Sequence, residues 1–149
     1  PEVKIDLDQS GRVTGAHVVE QIESHQIIEE FMLAANEAVA EKIAAAKGKF
    51  LRRIHPSPDL RKLRLLTEFV SELGFEVESL ESRFELQRLL TMSANEPEKH
   101  AVHYAVLRSL SRAVYAPQEQ GHYALASDCY CHFTSPIRRY PDLIIHRAL

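Results

Sequence analysis

The chain lacks any strong excess of charge: 18 Lys and Arg stand against 21 Asp and Glu, a formal net charge of −3. Bulk attraction to nucleic acid or to an anionic membrane is therefore not expected, and a polyanion site here has to be a local cluster in a near-neutral protein. Cysteine is scarce, with Cys129 and Cys131 only two positions apart. A disulfide between such close neighbours is strained, so both read as free thiols of a reducing compartment. There is no signal-like amino terminus and no apolar run of about eighteen residues, so a soluble, cytoplasmic protein with no membrane partner is expected. Internal repeats and low-complexity linkers are also missing, which favours one domain. Finally, there is no initiator methionine, and "PEVKIDLDQSGRVTG" already reads as mid-strand. Methionine removal before proline would allow a natural start, but a domain cut in the middle is the expectation.

What is present suffices for a core: 149 residues, 45% of them hydrophobic. Val3, Ile5 and Leu7 alternate with Lys4, Asp6 and Asp8, "QSG" turns, and "RVTGAHVVEQIE" continues in the strand idiom, which predicts a hairpin. Segment 24–47 is the strongest helix signal, with Ser24 as N-cap and Gly48 as its stop. At 100° per residue, Ile27, Ile28, Phe31, Met32, Ala34, Ala35, Ala38, Val39 and Ile43 fill a wide arc, predicting a helix buried on most sides. Glu30, Glu37 and Glu41 fall on the opposite face, and Glu29 and Asn36, one heptad apart, at the arc's boundary. Residues 50–58 read as a short strand or extended connector, and 57–73 as a helix capped by Ser57 with Pro58 in its first turn. Further helices are expected over 81–92 and 95–115, and a strand pair or long irregular strand over 122–134. The fold class is mixed α+β.

The segment "HFTSPIRRYPDLIIHR" (132–147) sets two arginines between two prolines. Ser135-Pro136 reads as the opening of a helical turn and Pro141 as the start of a terminal helix with Asp142 in its first turn. On a continuous helical path Arg138, Asp142 and His146 share one face, while Ile137, Tyr140 and Ile144 anchor another in the core. Two readings follow from spacing alone. Arg138 pairs with Asp142 and does nothing else, or Asp142 holds the Arg138 fork so that it meets phosphate oxygens bidentately.

"GHYALASDCYCHFTSPIRRYPDLIIHR" closely resembles the signature of the ribonuclease II and ribonuclease R family, and "SHQIIEEFMLAANEAVAEKI", "FLRRIHPSPD" and "VLRSLSRAVYAPQEQGHY" agree with it in the same order. The arrangement resembles ribonuclease R more than ribonuclease II. The resemblance implies a processive exoribonuclease that hydrolyses single-stranded RNA from its 3′ end to nucleoside 5′-monophosphates, with magnesium held by aspartates. It makes Arg138 the clamp on the scissile phosphate and Glu29 the contact to ribose near the 3′ end. Asn36, Arg139, Arg108, His146 and Tyr140 complete the expected substrate-facing set. The family's aspartate cluster and its flanking oligonucleotide-binding barrels have no counterpart in the 149 residues, and Asp6 and Asp8 belong to the hairpin. The expectation is a partial catalytic domain over 1–149, with no metal ligands of its own and inactive alone.

Other candidates are weaker. Cys129, Cys131 and His132, with His122 nearby, contain the elements of a zinc site, but structural sites favour two separated pairs of wider spacing, so small buried thiols are expected. Arg108 with Arg112, and Arg52 with Arg53 and His55, face an RNA path or are salt-bridged surface groups. His146 orients Arg138 or Asp142, or simply packs. The alternative function is a non-catalytic RNA-binding or adaptor protein derived from the same fold. An exposed edge at residues 3–20 would further allow a strand-exchanged homo-oligomer.

Overall fold

The computed structural model describes residues 3–20 and 22–149. The strand idiom expected at Pro1, Glu2 and Gln21 lies outside the described residues. Alternation does give the hairpin: β1 (Val3–Leu7) and β2 (Val13–Val18) pair antiparallel, with Val3 opposite Val18 and a register shift between Asp6 and Leu7. Asp8 closes the turn by accepting from the backbone N–H groups of Ser10 and Arg12 at 2.8 and 2.9 Å, and Asp6 reaches His17 at 3.0 Å. Both aspartates thus serve the hairpin. Its apolar residues Val3, Ile5, Leu7, Val13 and Val18 are all exposed.

Helix α1 spans Glu23–Ala45. It begins with Ile22 at the N-cap and no side-chain cap, so Ser24 lies inside the first turn. At the other end Lys47, not Gly48, takes the left-handed conformation (φ 55°). Gly48 is needed for proximity instead: a Cβ there would stand 2.7 Å from Ile43 Cγ2. The expected burial on most sides fails in the first half of the helix. Ile27, Ile28, Phe31 and Met32 are exposed, Phe31 by 70%, and only Asn36, Ala40 and Ile43 are buried. Periodicity marks an apolar stripe, but burial needs a partner, and the described residues pack only against the helix's second half.

Strand β3 (Arg52–Ile54) pairs antiparallel with β4 (Val114–Ala116). Helix α2 (Leu60–Glu72) starts later than expected, because Asp59, not Ser57, is the N-cap, accepting from the Arg61 N–H at 2.8 Å. A carboxylate suits the positive end of the helix, and Ser57 instead gives its carbonyl to the Ser111 hydroxyl at 3.1 Å. Helix α3 (Arg83–Met92) is capped by Ser82, and Phe84, though apolar, points to solvent. Helix α4 (Lys99–Ser109) is shorter than 95–115. After Ser109 the hydroxyls of Ser109 and Ser111 bond to backbone carbonyls, and Val114 and Tyr115 go into β4, where β-branched and aromatic residues fit.

Leu63, Leu66 and Val70 of α2 meet Leu80, Leu86, Leu89, Val102 and Val106 in one apolar cluster. A second cluster joins Ala40 and Ile43 of α1 to Phe50, Cys131 and Ile145. Residues 117–139 are irregular, with a 3-10 turn at Tyr123–Leu125 and isolated bridges from His122 to His55 and Ser127. Gly121 permits that crossing, since a Cβ there would come within 2.6 Å of the Ser127 carbonyl oxygen. Helix α5 (Tyr140–Ala148) ends the α+β fold, its Ile145 completing the second cluster.

Candidate functional site

That second cluster carries the site. It fixes α1 beside segment 130–139, and between them lies a cleft of about 380 Å³ lined in part by Glu29, Glu30, His132, Ser135, Arg138 and Arg139. The turn expected at Ser135 forms: the Ser135 carbonyl accepts from the N–H groups of Arg138 and Arg139 at 3.3 and 3.1 Å. It does not run on into α5. Arg139, at the N-cap, is extended (φ −128°, ψ 114°), so Arg138, Asp142 and His146 do not share a helical face.

The pairing differs accordingly. The fully buried Asp142 carboxylate accepts through Oδ1 from Arg139 Nη2 and from the Ser135 backbone N–H, each at 2.8 Å. Arg138 is exposed and its Nε donates to the Ser135 hydroxyl, a neutral group, at 3.3 Å. Arg139 is thus the ion-paired member, and Arg138 is the exposed one in the cleft lining. The expected anchoring by Ile137 and Tyr140 is absent: Ile137 is fully exposed and Tyr140 is 67% exposed. The buried anchors of α5 are Asp142 and Ile145, which the break at Arg139 rotates inward.

Opposite the arginines stand two carboxylates. Glu29 and Glu30 are both exposed and both line the cleft, so Glu30 is not turned away and Glu29 does not sit at the edge of a buried arc. Asn36, two turns along α1, is buried and bonded to segment 130–134. His132, by sequence a candidate zinc ligand and not a member of the expected substrate-facing set, lines the cleft and shares a 2.7 Å hydrogen bond with the Tyr115 hydroxyl. The remaining expected contacts lie elsewhere. Arg108, on α4, donates to the Tyr104 hydroxyl at 3.2 Å, and Arg112 is beyond the helix end. His146 donates from Nε2 to the Phe133 carbonyl at 3.0 Å and stacks on the Phe133 ring, so it packs. Arg52 is buried, bonded to Cys129 Sγ and Glu119, and His55 is buried between the Ser111 carbonyl and the Ala124 N–H.

Protonation states follow from burial. Burial, then the charge of Arg139, hold His132 down to about 4. Burial, then His55 and Arg53, bring His122 to about 4 as well. Both imidazoles are therefore neutral above pH ~4 in the folded chain, while in the unfolded chain they take protons near pH ~6.5. Between those values the unfolded state binds more protons, so stability is full above the unfolded pKa and falls as pH drops through the window. Urea unfolding at a series of pH values from 7.5 to 4 checks this, and H122Q/H132Q should flatten the slope. A slope unchanged by the double substitution contradicts the assignment. Burial also pushes the Cys131 thiol up to about 12, with Cys129 and Asp142 adding to it, so Cys131 is an inert buried thiol.

Among the described residues, no three His, Cys, Asp or Glu side chains come together as a metal site. The cleft's glutamates share its lining with two arginines, and the hairpin aspartates are engaged with their own turn and His17. These residues do not fit a magnesium site.

A family model, the RNB domain, matches residues 1–149. The chain belongs to the RNB domain family. It is 40% identical over 152 residues to the ribonuclease R of Aquifex aeolicus, covering all of this chain and 21% of that protein. In three dimensions the RNB chain superposes on Mycoplasma genitalium RNase R, solved in complex with ribose-methylated single-stranded RNA, with a TM-score of 0.83, 33% identity, and coverage of 99% of this chain and 24% of that one. Yeast Ssd1, described as a pseudonuclease, matches with a TM-score of 0.67 at 25% identity, over 83% of this chain and 16% of that one. The RNB chain thus spans about a fifth of the length of the relatives it matches.

Proposed function

We propose that the chain is part of a processive, magnesium-dependent 3′→5′ exoribonuclease of the ribonuclease R type, which hydrolyses single-stranded RNA to nucleoside 5′-monophosphates in the cytoplasm. The observation that carries this reading is the cleft itself, which an exposed arginine on a short turn and two exposed carboxylates of α1 line together. In it, Arg138 binds the scissile phosphate through its planar fork. Glu29 accepts a hydrogen bond from the ribose 2′-hydroxyl, the group that separates RNA from DNA. Neutral His132 supplies an uncharged wall beside them. Magnesium would be held by parts of the parent outside this chain and would supply Lewis-acid charge stabilisation there. The remainder of the domain is also the partner that covers the exposed apolar hairpin and the first half of α1. In the isolated chain that edge is open to a second copy by strand exchange.

The test uses single-stranded RNA labelled at every phosphate, beside a 5′-labelled copy that reports the direction of shortening. The parent protein with magnesium is expected to shorten it from the 3′ end and release 5′-monophosphates, whereas residues 1–149 alone should release none. Internal cleavage by the parent, or monophosphates from the isolated chain, contradicts the reading. The likeness to a pseudonuclease supports a second reading, a non-catalytic RNA-binding protein. It predicts RNA binding by the parent with steep salt dependence and no magnesium requirement, and no shortening at all.

A further inference from the structure

Asn36 is only 3% exposed, on a helix whose other buried residues are Ala40 and Ile43. A buried carboxamide is costly unless its hydrogen bonds are made. Here they are. Oδ1 accepts from the backbone N–H groups of Phe133 and Thr134 at 2.8 and 3.3 Å, and Nδ2 donates to the Tyr130 hydroxyl at 2.9 Å. The two N–H donors require an oxygen on that side, which fixes the orientation of the amide. The Asn36 main-chain carbonyl also accepts from the Cys131 thiol at 3.5 Å. One side chain on α1 thus anchors the chain immediately before Ser135, and Asp142 takes the next N–H, that of Ser135 itself. Along α1, seven residues separate Asn36 from Glu29, a rise of about 10.5 Å with only about 20° of rotation. The carboxylate and the anchor therefore share a helix face, and the anchor sets where the arginine turn stands relative to the carboxylate.

We propose that Asn36 is a positioning residue that acts through Arg138: it fixes the distance between the α1 glutamates and the arginine turn instead of touching RNA. Both lone pairs of its oxygen are taken, which leaves that atom nothing to offer a substrate. The proposal rests on the reading of Arg138 as the phosphate clamp. Aspartate at this position preserves the function, because it accepts the same two N–H bonds and the Tyr130 hydroxyl turns to donate to it. Glutamine keeps the chemistry and adds a methylene, which shifts the turn.

The experiment is a double-substitution cycle in the full-length parent, with Asn36→Ala and Arg138→Ala singly and together. The readouts are kcat and KM on single-stranded RNA and the thermal midpoint of each variant. N36A is expected to lower kcat about tenfold to a hundredfold with little change in KM. In the R138A background the same substitution should matter less than about twofold, because the group it aims is gone. N36D should recover most of the rate, and N36Q should lose rate while remaining folded, which keeps the test decisive if N36A folds poorly. Equal losses in both backgrounds, or a loss confined to KM, overturn the positioning role and leave the clamp standing. An R138A parent with normal activity overturns both.

Discussion

Replacing Arg138 by alanine in the full-length parent is expected to lower the rate of RNA hydrolysis on the order of 10²-fold or more, the effect of removing one preorganised donor from a developing negative charge. The preorganisation is visible in the chain. Pro136 and Pro141 restrict the backbone on either side, the Ser135 carbonyl closes the turn on the N–H groups of Arg138 and Arg139, and the Ser135 hydroxyl holds Nε of Arg138. Arg138→Lys should recover only part of the rate, because an ammonium cannot reproduce the planar two-point contact. Steady-state kinetics on a single-stranded substrate decide the matter, and an Arg138→Ala parent that hydrolyses RNA at the normal rate removes the clamp from the account.

The second large effect is on stability. Asp142→Ala should destabilise the fold by about 3 kcal/mol, the lower end of the range for breaking a buried ion pair. The lower end applies because the Arg139 side chain keeps 22% of its surface exposed while that of Asp142 has none. The loss has two parts: the part-buried Arg139 guanidinium left without its carboxylate, and the Ser135 N–H stripped of its acceptor. Asp142→Asn preserves the shape and one acceptor and should fall between. The urea midpoint measures it. An unchanged midpoint for Asp142→Ala would show that Arg139 and Ser135 find other partners and that the turn does not depend on the buried carboxylate.

These two residues also show how far the sequence could be read. The hairpin, the strand at residues 52–54 and the leucine-lined α2 were legible, because alternation and helical spacing report directly on local structure. The turn at Ser135 was legible too, from Ser135-Pro136. The partners within it were not. Spacing suggested Arg138 with Asp142, yet a single extended residue, Arg139, breaks the helical path and delivers itself to Asp142. Tyr140 and Ile137 were assigned to the core for the same reason and project outward. The first half of α1 carries an apolar stripe that none of the described residues covers, and an amphipathic pattern cannot name its own partner. Asn36 was visible as a heptad companion of Glu29, but its role depends on bonds to residues almost a hundred positions away. His132 was a candidate only for zinc, and its place in the cleft was knowable only from how segment 130–135 folds back on α1.

The central claim is that Arg138, aimed by its turn, receives an RNA phosphate in the cleft opposite Glu29. A structure of the parent with a single-stranded RNA bound at its 3′ end tests it most directly, through the distance from the Arg138 guanidinium to the nearest phosphate oxygen. The account predicts a charge-assisted contact of about 2.8 Å to the phosphate, with Arg139 still on Asp142. An RNA path that leaves Arg138 on Ser135, with no phosphate within hydrogen-bonding distance, would contradict it.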